Sequence, residues 1–199
     1  MDTTILLVED DRLVLHTLSR GLHDAGYRIL EADSSERAMQ LCSDNQPDLA
    51  LLDMRLSGMS GIDFARWLKT SLGIPFLFLS AYNDTKTVGD AAELGALGYL
   101  VKPLDVQQIL PAIQTALQRA EEIKQLQQAE LDLSTALKTS RSISMAIGLL
   151  MQRFGTGSDE TFEALRAYCR SNRKRMADLA EQIVEHRLEI DLTTYLGKH

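Results

Sequence analysis

Along the first hundred residues, short runs of wholly apolar positions alternate with stretches in which apolar residues return every three or four places. Residues 4–8 (TILLV) read as a strand, and Leu13, Leu18 and Leu22 as one face of a helix that Gly26 ends. A second strand follows at 27–31, and a helix capped by Ser34 or Ser35 carries Ala38, Leu41 and Cys42 before stopping ahead of Pro47. The third strand is 49–52, and the third helix runs from about Gly61 through Phe64, Ala65 and Leu68. Pro75 precedes a fourth strand, 76–79, that ends in Ser80. A helix from about Asp84 through Val88, Ala91, Ala92 and Leu94 closes on Gly95, and a fifth strand, 98–101, ends in Lys102-Pro103. Strands that are apolar throughout and alternate with helices predict a parallel sheet covered on both faces.

The pattern then changes. Asp105 is a good N-cap, and no glycine occurs from there to Gly148, which predicts one long helix. Pro111 falls in its second turn, where the missing N–H predicts a kink or a later start. Ile113, Ala116, Ala120 and Ile123 follow 3-4 spacing, and Leu126, Ala129, Leu133 and Ala136 resume it one residue out of phase. The segment Glu121 to Lys138 is too rich in Gln and Glu for a core helix and reads as a coiled coil, hence a homodimer, against the alternative of a solvated spacer. Beyond it lie three more helical stripes: Ile143, Ala146, Ile147, Leu150 and Met151; Phe162, Leu165 and Cys169, after a capping sequence at Ser158; and Met176, Leu179, Ala180, Ile183 and Val184. The expected units are 1–120, a linker helix 121–140, and a small three-helix bundle 141–199 that borrows core from the long helix.

Charge sharpens this division. The net charge of -7 is concentrated in residues 1–120, with 10 Lys and Arg against 16 Asp and Glu, whereas residues 141–199 hold 9 against 8. The C-terminal part is therefore open to a polyanion even though the whole chain is acidic. No apolar run approaches the ~20 residues of a membrane span, and the N-terminus lacks a basic leader, so a cytoplasmic protein with no membrane partner is expected. Cys42 and Cys169 have no His or Cys at ligand spacing and read as buried free thiols. Trp67, the one tryptophan, reads as packing.

The chemistry sits where the strands end. In a parallel sheet ligands bind beyond the carboxyl ends of the strands, and those ends carry Glu9 and Asp10, Asp53, Ser80 and Lys102. Taken singly each is an ordinary cap or loop residue, and Asp53 is indistinguishable from a helix cap. Taken together, converging carboxylates need a cation, and oxygen ligands without His or Cys suit Mg²⁺. A lysine and a hydroxyl in the same crevice complete a site for a phosphoryl group.

Residues 1 to about 120 thereby resemble a response-regulator receiver domain, on the acidic pair after strand one, Asp53 after strand three, Ser80 after strand four and Lys102-Pro103 after strand five. The resemblance implies a flavodoxin-like five-stranded α/β fold with Asp53 as phosphoacceptor. It implies that Glu9, Asp10 and Asp53 hold Mg²⁺ with the backbone carbonyl of Arg55, that Lys102 and Ser80 bind the phosphoryl oxygens, and that Tyr99 switches rotamer with them. A cis Lys102-Pro103 bond is implied as well. Asp11 is surplus and remains a surface or capping residue. Ser57 stands where the family usually has proline.

The segments Ala146 to Met151, Phe162 to Arg166, Asn172, and Ala180 to Val184 resemble the ANTAR domain, the RNA-binding module of antitermination regulators of the AmiR and NasR type. Ile147 and Thr161 depart from the Lys and Ala usual there. Arg166, Arg170, Arg173, Lys174 and Arg175, with Tyr168 among them, form the densest basic patch, which suits phosphates and an unstacked base, or alternatively offsets a helix C-terminal dipole. The combined resemblance implies a non-enzymatic two-component regulator that takes phosphate from a sensor histidine kinase and binds hairpins of a nascent leader RNA. Two alternatives stand beside it: a receiver controlled by a protein partner, and a DNA-binding regulator. The DNA reading would want a recognition helix richer in base-reading side chains than 176–184.

Overall fold

The computed structural model describes residues 3–80 and 93–196, which divide into two compact units, Met1–Gln125 and Leu126–His199. In the first unit five strands, β1 (Thr4–Val8), β2 (Arg28–Ala32), β3 (Leu49–Asp53), β4 (Phe76–Ser80) and β5 (Tyr99–Val101), form one parallel sheet in the order β2-β1-β3-β4-β5. Strand β1 thus has β2 on one side and β3 on the other, so the chain reverses its direction of travel there and leaves a crevice beyond the carboxyl ends of β1 and β3.

The period of two along each strand distributes its side chains between two cores. Ile5, Leu7, Leu49, Leu51, Leu77 and Leu79 face helix α1 (Arg12–Asp24) and the first turns of helix α4 (Val106–Phe154), meeting Leu15, Leu18, Leu22, Ile109 and Ile113. Leu6, Val8, Ala50, Leu52, Phe76 and Phe78 face helix α2 (Ser35–Asp44) and helix α3 (Gly61–Trp67), meeting Ala38, Cys42, Phe64 and Ala65. Both faces being covered, the strands can be apolar at every position, as the sequence has them. Trp67 stacks on Phe64 at 5.8 Å between centroids and packs against the second core, the packing role expected of it.

Several local expectations shift. Strand β2 lies one residue later than its apolar run suggested. Leu13 does not belong to the buried face of α1: it is 76% exposed, and Leu15, Leu18 and Leu22 carry the packing. Asp11 caps α1, accepting from the N–H groups of Leu13 and Val14, and Ser34 rather than Ser35 caps α2. Helix α3 passes into a π-helical turn, Leu68–Leu72, which Gly73 ends in the left-handed region (φ 66°). The helix expected from about Asp84 through Leu94 lies mostly on residues 81–92, outside the described residues; Gly95, its expected close, has φ 80°.

Asp105 caps α4 through the Gln107 N–H, and the helix continues through Pro111 with no later start. It also runs through Gly148 to Phe154, so the first C-terminal stripe is the end of the long helix itself. There Ala146 and Leu150 meet Ala164, Leu165 and Cys169 of helix α5 (Ser158–Ser171) and Leu179, Ala180 and Ile183 of helix α6 (Met176–Val184). The chain beyond α6 adds Ile190 and Leu192 to the same core, and Tyr195 meets Tyr168 edge to face. Ser158 does not cap α5, since Gly157 occupies that position. Thr161 is fully buried instead, its hydroxyl donating to Gly157 O at 2.7 Å and sharing a hydrogen bond with the Thr156 hydroxyl. A buried hydroxyl so partnered costs little, which is why Thr fits where the resembled family has Ala. Both cysteines are buried and free, and no described helix is long and apolar enough to cross a membrane.

Candidate phosphoacceptor site and C-terminal basic face

The crevice beyond β1 and β3 gathers the residues named from the strand ends. Glu9 is 1% exposed, Asp53 7% and Ser80 3%. Each is delivered by the ladder that ends beside it: Glu9 N–H donates to Ala32 O, Met54 N–H to Leu79 O, and Lys102 N–H to Ser80 O at 2.7 Å. The Lys102-Pro103 bond is cis. Lys102 Nζ then donates to Glu9 Oε2 at 2.6 Å and to Asp53 Oδ2 at 2.7 Å.

Burial pushes the Glu9 carboxyl above its ordinary range; the Lys102 hydrogen bond works against that rise and the Asp53 charge adds to it. For Lys102 burial acts to lower the value, but the bonds to Asp53 and Glu9 outweigh it and hold the ammonium above its usual range. The other Asp53 oxygen, Oδ1, accepts the Arg55 N–H at 3.1 Å. Asp10, nearer the surface, points both lone pairs of Oδ2 at Ser57, whose N–H donates at 3.1 Å and whose hydroxyl donates at 2.8 Å.

One carboxylate oxygen from each of Glu9, Asp10 and Asp53 can be chosen so that all lie within 4.8 Å of one another. Three carboxylates against one ammonium leave a net charge near -2 when all are ionised, in a crevice that is partly desolvated. A hard divalent cation fits such an all-oxygen set by charge, and Mg²⁺ accepts one or two carboxylates with its remaining positions open to water and phosphate. Tyr99, at the start of β5, is 51% exposed and lines an open groove with Gln108, Ala112 and Arg119. Sequence reasoning missed the Ser57 to Asp10 link, whose only signal was a polar residue where proline is usual, and it missed how closely Gly61 approaches the Asp53 main chain.

In the C-terminal unit the basic residues separate into two kinds. Arg166 pairs with Glu163 at 3.3 Å, and Arg175 makes a bidentate pair with Asp178 at 2.7 and 2.8 Å. Arg170, Arg173 and Lys174 are exposed, and among the described residues none of the three is in an ion pair. Tyr168 is half-buried, with its ring against Tyr195. Ile147 is half-buried against the helical core.

Residues 5–114 match the family model of the response regulator receiver domain, and residues 131–184 match that of the ANTAR domain. The chain belongs to the response regulators. Among relatives of this regulator, the transcriptional regulatory protein PdtaR of Mycobacterium tuberculosis is 31% identical over 182 residues, spanning 91% of this chain and 89% of that protein. The phosphate regulon transcriptional regulatory protein PhoB of Pseudomonas aeruginosa is 34% identical over 119 residues, 58% of this chain and 52% of that one. Among solved structures, a response regulator receiver domain protein from Clostridium thermocellum superposes with a TM-score of 0.58 at 27% identity, covering 61% of this response regulator and 98% of that chain. The signal receiver domain of a modulated diguanylate cyclase from Desulfovibrio desulfuricans gives 0.57 at 31% identity over 61% and 98%. The protein is thus a two-component regulator that joins a receiver domain to an ANTAR domain, an architecture of regulation and not of catalysis on outside substrates.

Proposed function

We propose that this response regulator takes a phosphoryl group on Asp53 from a sensor histidine kinase and passes the signal to RNA binding by its C-terminal unit, controlling antitermination in a leader transcript. The observation that carries the reading is the bridge from Lys102 to both Glu9 and Asp53 beside the Asp10 carboxylate. Asp53 attacks phosphorus, the bond from phosphorus to the histidine nitrogen breaks, and the acyl phosphate of about -2 charges replaces a carboxylate of -1, a net gain of about -1 in a crevice that already holds excess negative charge. Glu9, Asp10, Asp53 and the Arg55 carbonyl are the groups that would hold Mg²⁺, which when bound supplies charge neutralisation for the transferred group. Lys102 orients Asp53 beforehand and has a second carboxylate, Glu9, to release it to when the phosphoryl oxygens arrive. Ser80, at the end of the neighbouring strand, donates to those oxygens, and Tyr99 on β5 responds to the movement of Ser80.

The output requires two copies. Between residues 121 and 138 of α4 every side chain is exposed, including Leu126 at 71%, Leu133 at 62% and Leu137 at 63%, with Ile123 at 45%. Their spacings of three, seven and four put them on one heptad seam, and no change of phase is needed if Leu137 continues it in place of Ala136. Leucines are costly to leave in water on a lone helix, so a homodimeric coiled coil accounts for them. Paired C-terminal units would then present Arg170, Arg173 and Lys174 twice, matching tandem hairpins in RNA, with Arg166 and Arg175 contributing after release from their acidic neighbours.

The test is Mg²⁺-dependent labelling by a small phosphodonor, followed by a gel shift against tandem-hairpin leader RNA. Labelling lost in Asp53→Ala and RNA retarded in a phosphorylation-dependent way are the expected results. An Asp53→Ala chain that still labels, or binding to duplex DNA and not to RNA, overturns the reading.

A further inference from the structure

We propose that Ser57 is a positioning residue for the metal ligand Asp10, a role that rests on the reading of Glu9, Asp10 and Asp53 as the Mg²⁺ site. Glu9 and Asp53 are held by burial and by Lys102. Asp10 has neither support. Among the described residues, Ser57 supplies both hydrogen bonds that the Asp10 carboxylate accepts, from its N–H at 3.1 Å and its hydroxyl at 2.8 Å, across 47 positions of sequence.

Both donors fall on one oxygen, Oδ2. That arrangement uses the two lone pairs of Oδ2, fixes the side-chain torsions of Asp10, and leaves Oδ1 with its lone pairs available to a cation. A carboxylate fixed before binding loses less freedom when the ion arrives, and a ligand set with one unfixed member binds more weakly. Proline, the residue the receiver family usually places here, has no N–H and no hydroxyl, so it can make neither bond. Serine therefore gives this chain a direct link between the loop after β1 and the loop after β3, and the linked atom belongs to the most exposed of the three carboxylates. The alternative, in which Ser57 holds Asp10 away from the ion, predicts tighter Mn²⁺ binding in Ser57→Ala.

The experiment uses the full chain and Mn²⁺, which shares the oxygen-ligand preference of Mg²⁺, with free Mn²⁺ counted by electron paramagnetic resonance. Ser57→Ala, which keeps the N–H and removes the hydroxyl, is expected to weaken Mn²⁺ binding by roughly threefold to tenfold, as loss of one ordinary hydrogen bond would. Ser57→Thr, which keeps both donors, is expected to bind like the parent. In labelling by acetyl phosphate the Ser57→Ala defect is expected to shrink as Mg²⁺ is raised, because it lies in metal affinity; a merely structural defect would persist at every Mg²⁺ concentration. Ser57→Ala binding Mn²⁺ as tightly as the parent, or more tightly, overturns the proposal while leaving the metal site standing. Parent and Asp10→Ala chains that bind Mn²⁺ equally poorly overturn the metal site and the proposal together.

Discussion

Gly61 stands so close to Asp53 that a β-carbon built on it would lie well inside van der Waals contact of the Asp53 carbonyl oxygen and within 3.1 Å of the Met54 α-carbon. The first residue of α3 therefore has no room for a side chain, and the obstacle is backbone, which does not rotate away. Gly61→Ala must push the loop off the end of β3, at a cost of about 2 to 3 kcal/mol by analogy with overpacked cores. Urea unfolding should show that loss. Phosphodonor labelling should fall further than stability does, because the displaced atoms carry the proposed acceptor; full labelling at wild-type stability would show that the loop yields freely.

Lys102 is the counter-charge for two carboxylates that have little access to water. Lys102→Met keeps the length and removes the charge, leaving Glu9 and Asp53 to repel each other. The metal-free chain should lose ~2 kcal/mol, a value kept modest because the lysine side chain is 24% exposed. Millimolar Mg²⁺ should raise the melting temperature of the variant more than that of the parent, since the cation replaces what was removed. The pH dependence has a definite sign. The folded-state value of Lys102 lies above 10.5, so its stabilisation is complete below pH 10.5 and disappears as pH climbs through the folded value. The stability gap between parent and variant should close over that alkaline range.

Four of the five strand ends were legible because two simple signals coincide there: an apolar run that must be buried, and a polar residue directly after it. Nothing in a single sequence fixes distances, so Lys102 could be placed in the crevice but its choice of both Glu9 and Asp53 as partners could not. Leu13 misled because helical spacing alone cannot tell the core stripe from a leucine one step off it; only the packing of Leu15 and Leu18 against β1 and β3 decides. Ser158 misled for a related reason. A capping pattern fits two adjacent frames, and the short Gly155-Thr156-Gly157 turn selected the frame with glycine at the cap and Thr161 pointing inward. The link from Ser57 to Asp10 joins two loops and has no periodic signature at all.

The linker seam makes a prediction about assembly. Leu126→Lys with Leu133→Lys places four like charges along a seam between two copies, which a coiled coil of this length does not survive. Sedimentation should give a monomer for the variant and the proposed dimer for the parent. Circular dichroism should keep the strand signal of the first unit, since neither leucine belongs to its cores. A parent chain that sediments as a monomer at all phosphorylation states would remove the coiled coil from the mechanism.

Arg173 occupies a position that glycine would fill at lower cost. It lies just past the end of α5 with φ 53°, where Lys174 N–H reaches back to Cys169 O and Arg173 N–H to Arg170 O, the paired bonds of a left-handed helix terminus. An arginine held in that region costs roughly 1 kcal/mol relative to glycine. Neither packing nor an ion pair among the described residues returns that cost. Arg173→Gly should therefore stabilise the chain against urea by about 1 kcal/mol while weakening its hold on leader RNA. Loss of one phosphate contact should also reduce the slope of log affinity against log salt by about 0.7. Arg175→Ala, which removes a cation already committed to Asp178, should weaken RNA binding less. Were Arg173→Gly to bind RNA as tightly as the parent at every salt concentration, the exposed cations after α5 would have no part in recognition, and the strained backbone at that corner would need another reason.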